Sequence, residues 1–240
     1  ISGTSELTCA TTSIVLDASG STVQGTASYL WNTGATASSI EIDAPGDYSV
    51  TVTDSDNGCS EKLSVTVEQD ITAVVATISG NEELTCTTTS ITLDAIGSTV
   101  QGTASYLWST GAETASIDVT APGDYEVTVT DSDNGCSAKV SVTVEQDITA
   151  PTAIISGNEE LTCTLEQITL VSNGASTNTE ANLTYLWSTQ ATTASIDVTE
   201  PGVYSVTVTD EDNGCSVTSE VAVAQDITAP TASISGNEEL

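Results

Sequence analysis

The residues with the most definite chemistry are six cysteines: Cys9, Cys59, Cys86, Cys136, Cys163 and Cys215. They fall two to a repeating unit, and the chain has no histidine. Two thiolates without imidazole are too few for a tetrahedral zinc site, so pairwise oxidation is the chemistry to expect. Six cysteines permit 15 pairings. Repeat symmetry favours Cys9–Cys59, Cys86–Cys136 and Cys163–Cys215. Each of these bonds closes a loop of about 50 residues, worth roughly 4 kcal/mol on the chain-entropy account. Cys59 has the strand parity of Leu63 and is expected to point inward with it. Structural disulfides place the chain in an oxidising, extracytoplasmic setting.

Acidic side chains are the second candidate chemistry. The formal charge is −32, and the two basic residues are Lys62 and Lys139. Such a surface repels nucleic acid and anionic lipid and attracts cations. Without histidine there is no imidazole general base or triad. The carboxylates recur with the strand pattern, mostly in turns, which reads as solvated surface, so no catalysis is expected. Asp54-Ser55-Asp56-Asn57-Gly58 superficially resembles a calcium loop, but its Gly comes one residue early and no Glu closes it. Lys62 and Lys139 could crosslink to a buried Asn or Asp only in two repeats, since Thr218 takes their place in the third; exposed solubilising lysines are the better reading. Asn182-Leu183-Thr184 is a lone glycosylation sequon.

The elements that position these groups recur. Ile-Ser-Gly returns at Ile1, Ile78, Ile155 and Ile234, in steps of 77, 77 and 79 residues. The repeats are therefore residues 1–77, 78–154 and 155–233, with 234–240 opening a fourth. Trp31, Trp108 and Trp187 each precede the second cysteine of their repeat by 28 residues. The two extra residues of the third repeat fall in the polar stretch 172–182, where a loop absorbs them. Within the first repeat, Tyr48, Val50 and Val52 alternate with Ser49, Thr51 and Thr53, and Leu63, Val65 and Val67 alternate in the segment that follows. A period of two with β-branched residues predicts half-buried strands. Asn57-Gly58 between them predicts a hairpin in which both residues take positive φ. Further strands are predicted at 6–9, 13–18, 29–31 and 39–43, and no segment has a helical apolar period. Six or seven strands in about 77 residues predict an all-β fold, with each repeat a small antiparallel β-sandwich of immunoglobulin-like type. No apolar run is long enough to span a membrane as a helix. The opening residues read as internal repeat sequence, so a window cut from a longer chain, or a processed product, is expected.

Residues 104–137 carry Tyr106-Leu107-Trp108-Ser109-Thr110-Gly111, then Pro122-Gly123-Asp124-Tyr125, then Val129-Thr130-Asp131 and Asn134-Gly135-Cys136. This run resembles the SprB-type and PKD-like tandem repeats of large surface adhesins and gliding-motility proteins of Bacteroidetes. The third repeat departs from it, with Gln190 for the turn Gly and Val203 for the Asp. The resemblance implies immunoglobulin-like modules in a linear array, display on a bacterial cell surface, and adhesion or surface motility. It brings no catalytic residues.

In such a sandwich the turn of the last hairpin lies where the chain enters, and the last strand ends where it leaves. Asp70 is thus expected beside Asp131, Asp133 and Asn134 of the next repeat, and Asp147 beside Asp210, Asp212 and Asn213. Asn81, Glu82 and Glu83, and later Glu159 and Glu160, are expected to crowd the same places. Oxygen ligands alone suit calcium, a stiffening ion for such junctions. Glu68 and Glu145 correspond to Ala224, which counts against a strict site, and a plain spacer is the competing expectation. Partners are then neighbouring repeats, identical chains in a fibre, or extracellular surfaces. The function expected is a stalk-like structural or adhesive segment of a long secreted fibre. A glycan-binding module using loops 19–27 and 172–182, and a strand-exchanged polymer completed by residues 234–240, are the alternatives.

Overall fold

The computed structural model describes residues 1–3, 6–80, 83–157, 160–176 and 182–235. Every regular element among them is a strand, and no helix there is long and apolar enough to cross a membrane. Two compact units result: Ile1–Glu82 with Thr92–Val119 and Gly123–Val144, and Glu83–Ile91 with Thr120–Pro122 and Glu145–Leu240. The division passes through the second sequence repeat.

In the first unit, β1 (Glu6–Thr8), β2 (Ile14–Asp17), β3 (Ala27–Trp31), β4 (Ser39–Ile42), β5 (Gly46–Asp54) and β6 (Ser60–Asp70) build the first repeat. One sheet has the order β1-β6-β5-β3 and a second pairs β2 with β4. Alternation sends Leu7, Leu16, Trp31, Val50 and Val67 into one core between the sheets, and of the Ser and Thr that alternate with Val50 and Val52, Ser49 is itself buried while Thr51 and Thr53 are half-buried. Burying the indole of Trp31 requires a hydrogen-bond acceptor, and its Nε1–H donates to the carbonyl of Ala37 at 2.9 Å. Tyr48 is half-buried and its hydroxyl donates to the carbonyl of Ala44 at 2.8 Å, a link of the kind that pins corners in immunoglobulin-like sandwiches.

Among the described residues, twelve strands span the first two repeats. After β7 (Glu83–Thr85) come β8 (Ile91–Asp94), β9 (Ala104–Trp108), β10 (Ser116–Val119), β11 (Gly123–Asp131) and β12 (Ser137–Asp147). The first unit holds β9, β11 and the body of β12 as an antiparallel ladder. In the second unit, β7 pairs in parallel with Glu145–Asp147. There follow β13 (Ile155–Ser156), β14 (Leu161–Thr162), β15 (Ile168–Ser172), β16 (Leu183–Trp187), β17 (Ser195–Val198), β18 (Gly202–Asp210), β19 (Ser216–Val223) and β20 (Gln225–Asp226). Sheets β13-β15-β17 and β16-β18-β19 enclose Leu170, Trp187, Val206 and Val223, and β14 runs parallel to β20.

Two local expectations change. The sandwich is not wholly antiparallel, because the first strand of each repeat lies parallel to the last: Thr8 opposite Asp70, Thr85 opposite Asp147, Thr162 opposite Asp226. In the last hairpin only the Gly adopts positive φ, at 75°, 72° and 69° for Gly58, Gly135 and Gly214. The Asn stays in the ordinary region because its side chain serves the loop: Asn57 Oδ1 accepts the Cys59 N–H at 2.8 Å.

Candidate functional site

The parallel first strand decides where the cysteines go. Cys9 follows β1 and therefore sits at the exit end of its repeat, beside Asp70. Cys59 precedes β6, at the entry end. Eleven strand residues separate Cys59 from Asp70, about 36 Å at ~3.3 Å each, whereas a disulfide needs its Cα atoms within about 7 Å. The intra-repeat pairing expected from symmetry is therefore impossible. The bonds instead join successive repeats: Cys9 to Cys136, with Cα atoms 4.9 Å apart, and Cys86 to Cys215, at 5.1 Å. Cys59 and Cys163 are free thiols, and both are exposed. The expected inward aim of Cys59 fails with that of Leu63, which is 43% exposed.

Around each bond a similar set of hydrogen bonds forms. In the first unit, Ala10 N donates to the Asn134 carbonyl at 3.2 Å. Asn134, 2% exposed, accepts the Cys136 N–H on Oδ1 at 2.8 Å. That bond fixes its amide orientation, so Nδ2 is the atom that faces the preceding linker. It donates to Asp70 Oδ1 at 3.2 Å and to the Thr72 carbonyl at 3.4 Å. Beyond this, Val75 and Thr99 exchange backbone hydrogen bonds of 3.0 and 2.8 Å, adding the linker to the second repeat as a short bridge. In the second unit, Cys86 N donates to the Asn213 carbonyl at 3.1 Å, Asn213 Nδ2 to the Thr149 carbonyl at 3.1 Å, and Thr152 bridges Ala175. Val74 and Pro151, which correspond in the two linkers, are both buried.

The acidic residues named from sequence divide into three kinds. Asp70 and Asp147 meet the next repeat through donors: each accepts a Thr N–H two residues on, from Thr72 and Thr149, at 3.0 Å. The Thr72 backbone N–H first, then its hydroxyl and the Asn134 amide, hold the Asp70 carboxyl below the ordinary carboxylate range. For Asp147 the Thr149 N–H leads and the Asn213 amide follows, in the same direction. Asp131 and Asp210 are buried and organise their own loops. Asp131 accepts Gly102 N at 2.9 Å, Gln101 N at 3.0 Å and Asp133 N at 3.0 Å, and its pKa is lowered with the Gly102 bond as the largest cause. Asp210 accepts Asp212 N at 3.1 Å and the Ser176 hydroxyl at 2.9 Å. Asp133 and Asp212 are exposed. Glu83 is exposed on β7. Asn81, Glu82 and Glu159 lie outside the described residues.

Carboxylates expected to share an ion are thus largely occupied by N–H and O–H donors. Among the described residues no three His, Cys, Asp or Glu side chains gather as a metal site. Lys139 is exposed and pairs with Glu126 at 2.6 Å. The described part of the 172–182 loop spends Ser176 on Asp210, and residues 177–181 lie outside the description. The tryptophans are buried, and the tyrosines half-buried.

No protein-family model matches the chain, and no curated protein matches it. Among solved structures, a Ca2+-stabilized adhesin with which an Antarctic bacterium binds ice superposes with a TM-score of 0.52 at 16% identity, over 89% of this chain and 68% of that one. Three N-terminal domains of the outer capsid protein Hoc of bacteriophage RB49 give a TM-score of 0.35 at 14% identity, over 90% of this chain and 94% of that one. At such identity the likeness to the adhesin is one of fold, and it agrees with the all-β, immunoglobulin-like architecture described above.

Proposed function

We propose that this chain is a structural and adhesive segment of an extracellular fibre, three immunoglobulin-like modules bounded by residues 1–77, 78–154 and 155–233, related to the SprB-type and PKD-like repeats of bacterial surface adhesins. The observation that carries the reading is that its disulfides join one repeat to the next. A bond within a module serves that module's stability; a bond between modules serves their connection. Disulfides also favour an oxidising, extracellular location. The donors and acids at the junctions are spent on structure, so no catalytic role is assigned to them.

Force extension tests this reading. In the oxidised chain the shortest covalent path runs from Cys9 across to Cys136, back to Cys86 and across to Cys215. That leaves roughly 84 residue lengths between the ends, about 30 nm at ~3.5 Å each. The reduced chain offers all 240 residues, close to ~84 nm on the same scale. Extension well past 30 nm without reductant removes the mechanical reading.

Calcium stiffening, suggested by the Ca2+-stabilized ice-binding adhesin, has the exposed Asp133 and Asp212 as its remaining aspartate candidates, since Asp70, Asp131, Asp147 and Asp210 already accept hydrogen bonds. Coincident melting curves with calcium and with chelator remove it.

A further inference from the structure

We infer that Asn134 and Asn213 are latent deamidation sites: the closed junctions keep them intact, and once a junction opens its Asn turns to aspartate and bars it from closing again. The inference rests on the array reading and extends it to how such a fibre ages. Gly135 follows Asn134 and Gly214 follows Asn213. Asn-Gly is the dipeptide most prone to this reaction, because a Gly nitrogen has no side chain beside it to hinder attack on the Asn amide carbon.

The fold forces the labile pair on both hairpins. Asn is needed for its two-sided amide. Its Oδ1 accepts the N–H of Cys136 at 2.8 Å, or of Cys215 at 2.9 Å, while Nδ2 reaches the preceding linker. Gly is needed because φ is 72° at Gly135 and 69° at Gly214, and because the preceding repeat stands against it. A methyl group on Gly135 would lie 2.5 Å from the Ala10 Cβ, and one on Gly214 would come closer still to Thr87 Cγ2.

The closed junction blocks each part of the reaction. The nucleophile is engaged: Gly135 N donates to the Asp131 carbonyl and Gly214 N to the Asp210 carbonyl, each at 2.8 Å. The leaving group is held: Asn134 Nδ2 donates to Asp70 Oδ1 at 3.2 Å, and Asn213 Nδ2 to the Thr149 carbonyl at 3.1 Å. Asn134 and Asn213 are 2% and 3% exposed, so water and hydroxide are kept out. The Gly hydrogen bond belongs to the hairpin alone, but the burial and the Nδ2 bonds belong to the junction and vanish with it. A dithiol unclips the junction by exchange: the dithiol becomes a disulfide, and Cys9 and Cys136 become thiols.

In the opened hairpin the Gly135 nitrogen gives up its proton and attacks Asn134 Cγ. The Cγ–Nδ2 bond breaks, and ammonia leaves carrying that proton, so a succinimide ring joins the two residues. Water then opens the ring. Opening at the side-chain carbonyl leaves aspartate, and opening at the main-chain carbonyl leaves isoaspartate. The balance is one water consumed and one ammonia released. Aspartate sets a carboxylate against Asp70 where an amide donated, and like charges at that distance repel. Isoaspartate also lengthens the main chain of the hairpin by a methylene, which shifts Cys136 away from Cys9.

The purified chain is held at mildly alkaline pH, oxidised or with a dithiol, and peptide mapping by mass spectrometry follows the conversion of each Asn. Reduction should speed both sites by about tenfold or more, because reaction from an open form tracks its population. The variant Cys9→Ser, Cys136→Ser, left oxidised, should speed Asn134 and leave Asn213 at its wild-type rate. Asp70→Ala, which keeps both disulfides and takes one acceptor from the Asn134 amide, should show the same selectivity to a smaller degree. Asn134→Asp, refolded in a glutathione redox buffer, should form Cys86–Cys215 in wild-type yield and Cys9–Cys136 in a clearly lower one. Equal rates in the oxidised and reduced chain overturn the inference, as does a failure of both variants to single out Asn134. An Asn134→Asp chain that forms Cys9–Cys136 in wild-type yield overturns the block on reclosure. If the purified chain lacks Cys9–Cys136 and Cys86–Cys215, the array reading itself fails; if it has them and the rates are equal, the inference alone fails.

Discussion

Removing the Cys9–Cys136 bond by the double substitution Cys9→Ser, Cys136→Ser should weaken two repeats and spare the third. Because β1 is parallel to β6, a folded first repeat holds Cys9 next to Asp70. If the second repeat then unfolds, the bond closes only the roughly 66 residues between Asp70 and Cys136, and the chain-entropy relation gives about 4 kcal/mol. In the opposite case a folded second repeat holds Asp70 and Thr72 through Asn134. The unfolded loop is then the roughly 61 residues from Cys9 to Asp70, again worth about 4 kcal/mol. Each neighbour thus loses nearly the same amount, close to a thousandfold in its opening equilibrium. Hydrogen exchange read by mass spectrometry resolves the repeats. Protection should fall by about that factor in β2–β5 and in β9–β11, and hold in β15–β18, whose repeat keeps Cys86–Cys215. Equal loss in all three repeats, or unchanged protection in the first, would refute the reasoning.

Asn134→Ala leaves the buried Cys136 N–H without its acceptor and should cost about 2 kcal/mol by denaturant titration, whereas Asn57→Ala, in an exposed turn, should cost clearly less. Asp70, Asp131 and Asp147 have folded pKa values below their unfolded ones, so the stabilisation they supply is complete above about pH 4 and is lost as pH falls through the folded values. Melting temperature should therefore be level near neutrality and drop in acid; a maximum below pH 4 would contradict the assigned bonds. Gln190 sits at φ 69° where the first two repeats have Gly34 and Gly111 at 88° and 86°. Gln190→Gly should stabilise the third repeat by about 1 kcal/mol in thermal unfolding, since the left-handed region disfavours a Cβ.

The strand pattern was readable because period-two alternation is a local property: Tyr48 to Val52 declare their faces without help from any other segment. The meeting of Asp70 with Asn134 was readable too, since it follows from where a sandwich's last hairpin turns and where its last strand ends. The direction of the first strand was not. Three residues, Glu6–Thr8, carry no signal that separates parallel from antiparallel pairing with β6, and on that direction hangs the position of Cys9. Repeat symmetry cannot repair the gap. Any rule that pairs equivalent cysteines is satisfied as well by a shift of one whole repeat, so Cys9–Cys59 and Cys9–Cys136 are indistinguishable by spacing. What distinguishes them is length: an eleven-residue β6 keeps the two ends of one module too far apart to be joined by sulfur. A cysteine at each end of a rigid module, on opposite ends of its long strand, can bond only to something outside that module, and the most similar surface available is the module's own sequence, one repeat away.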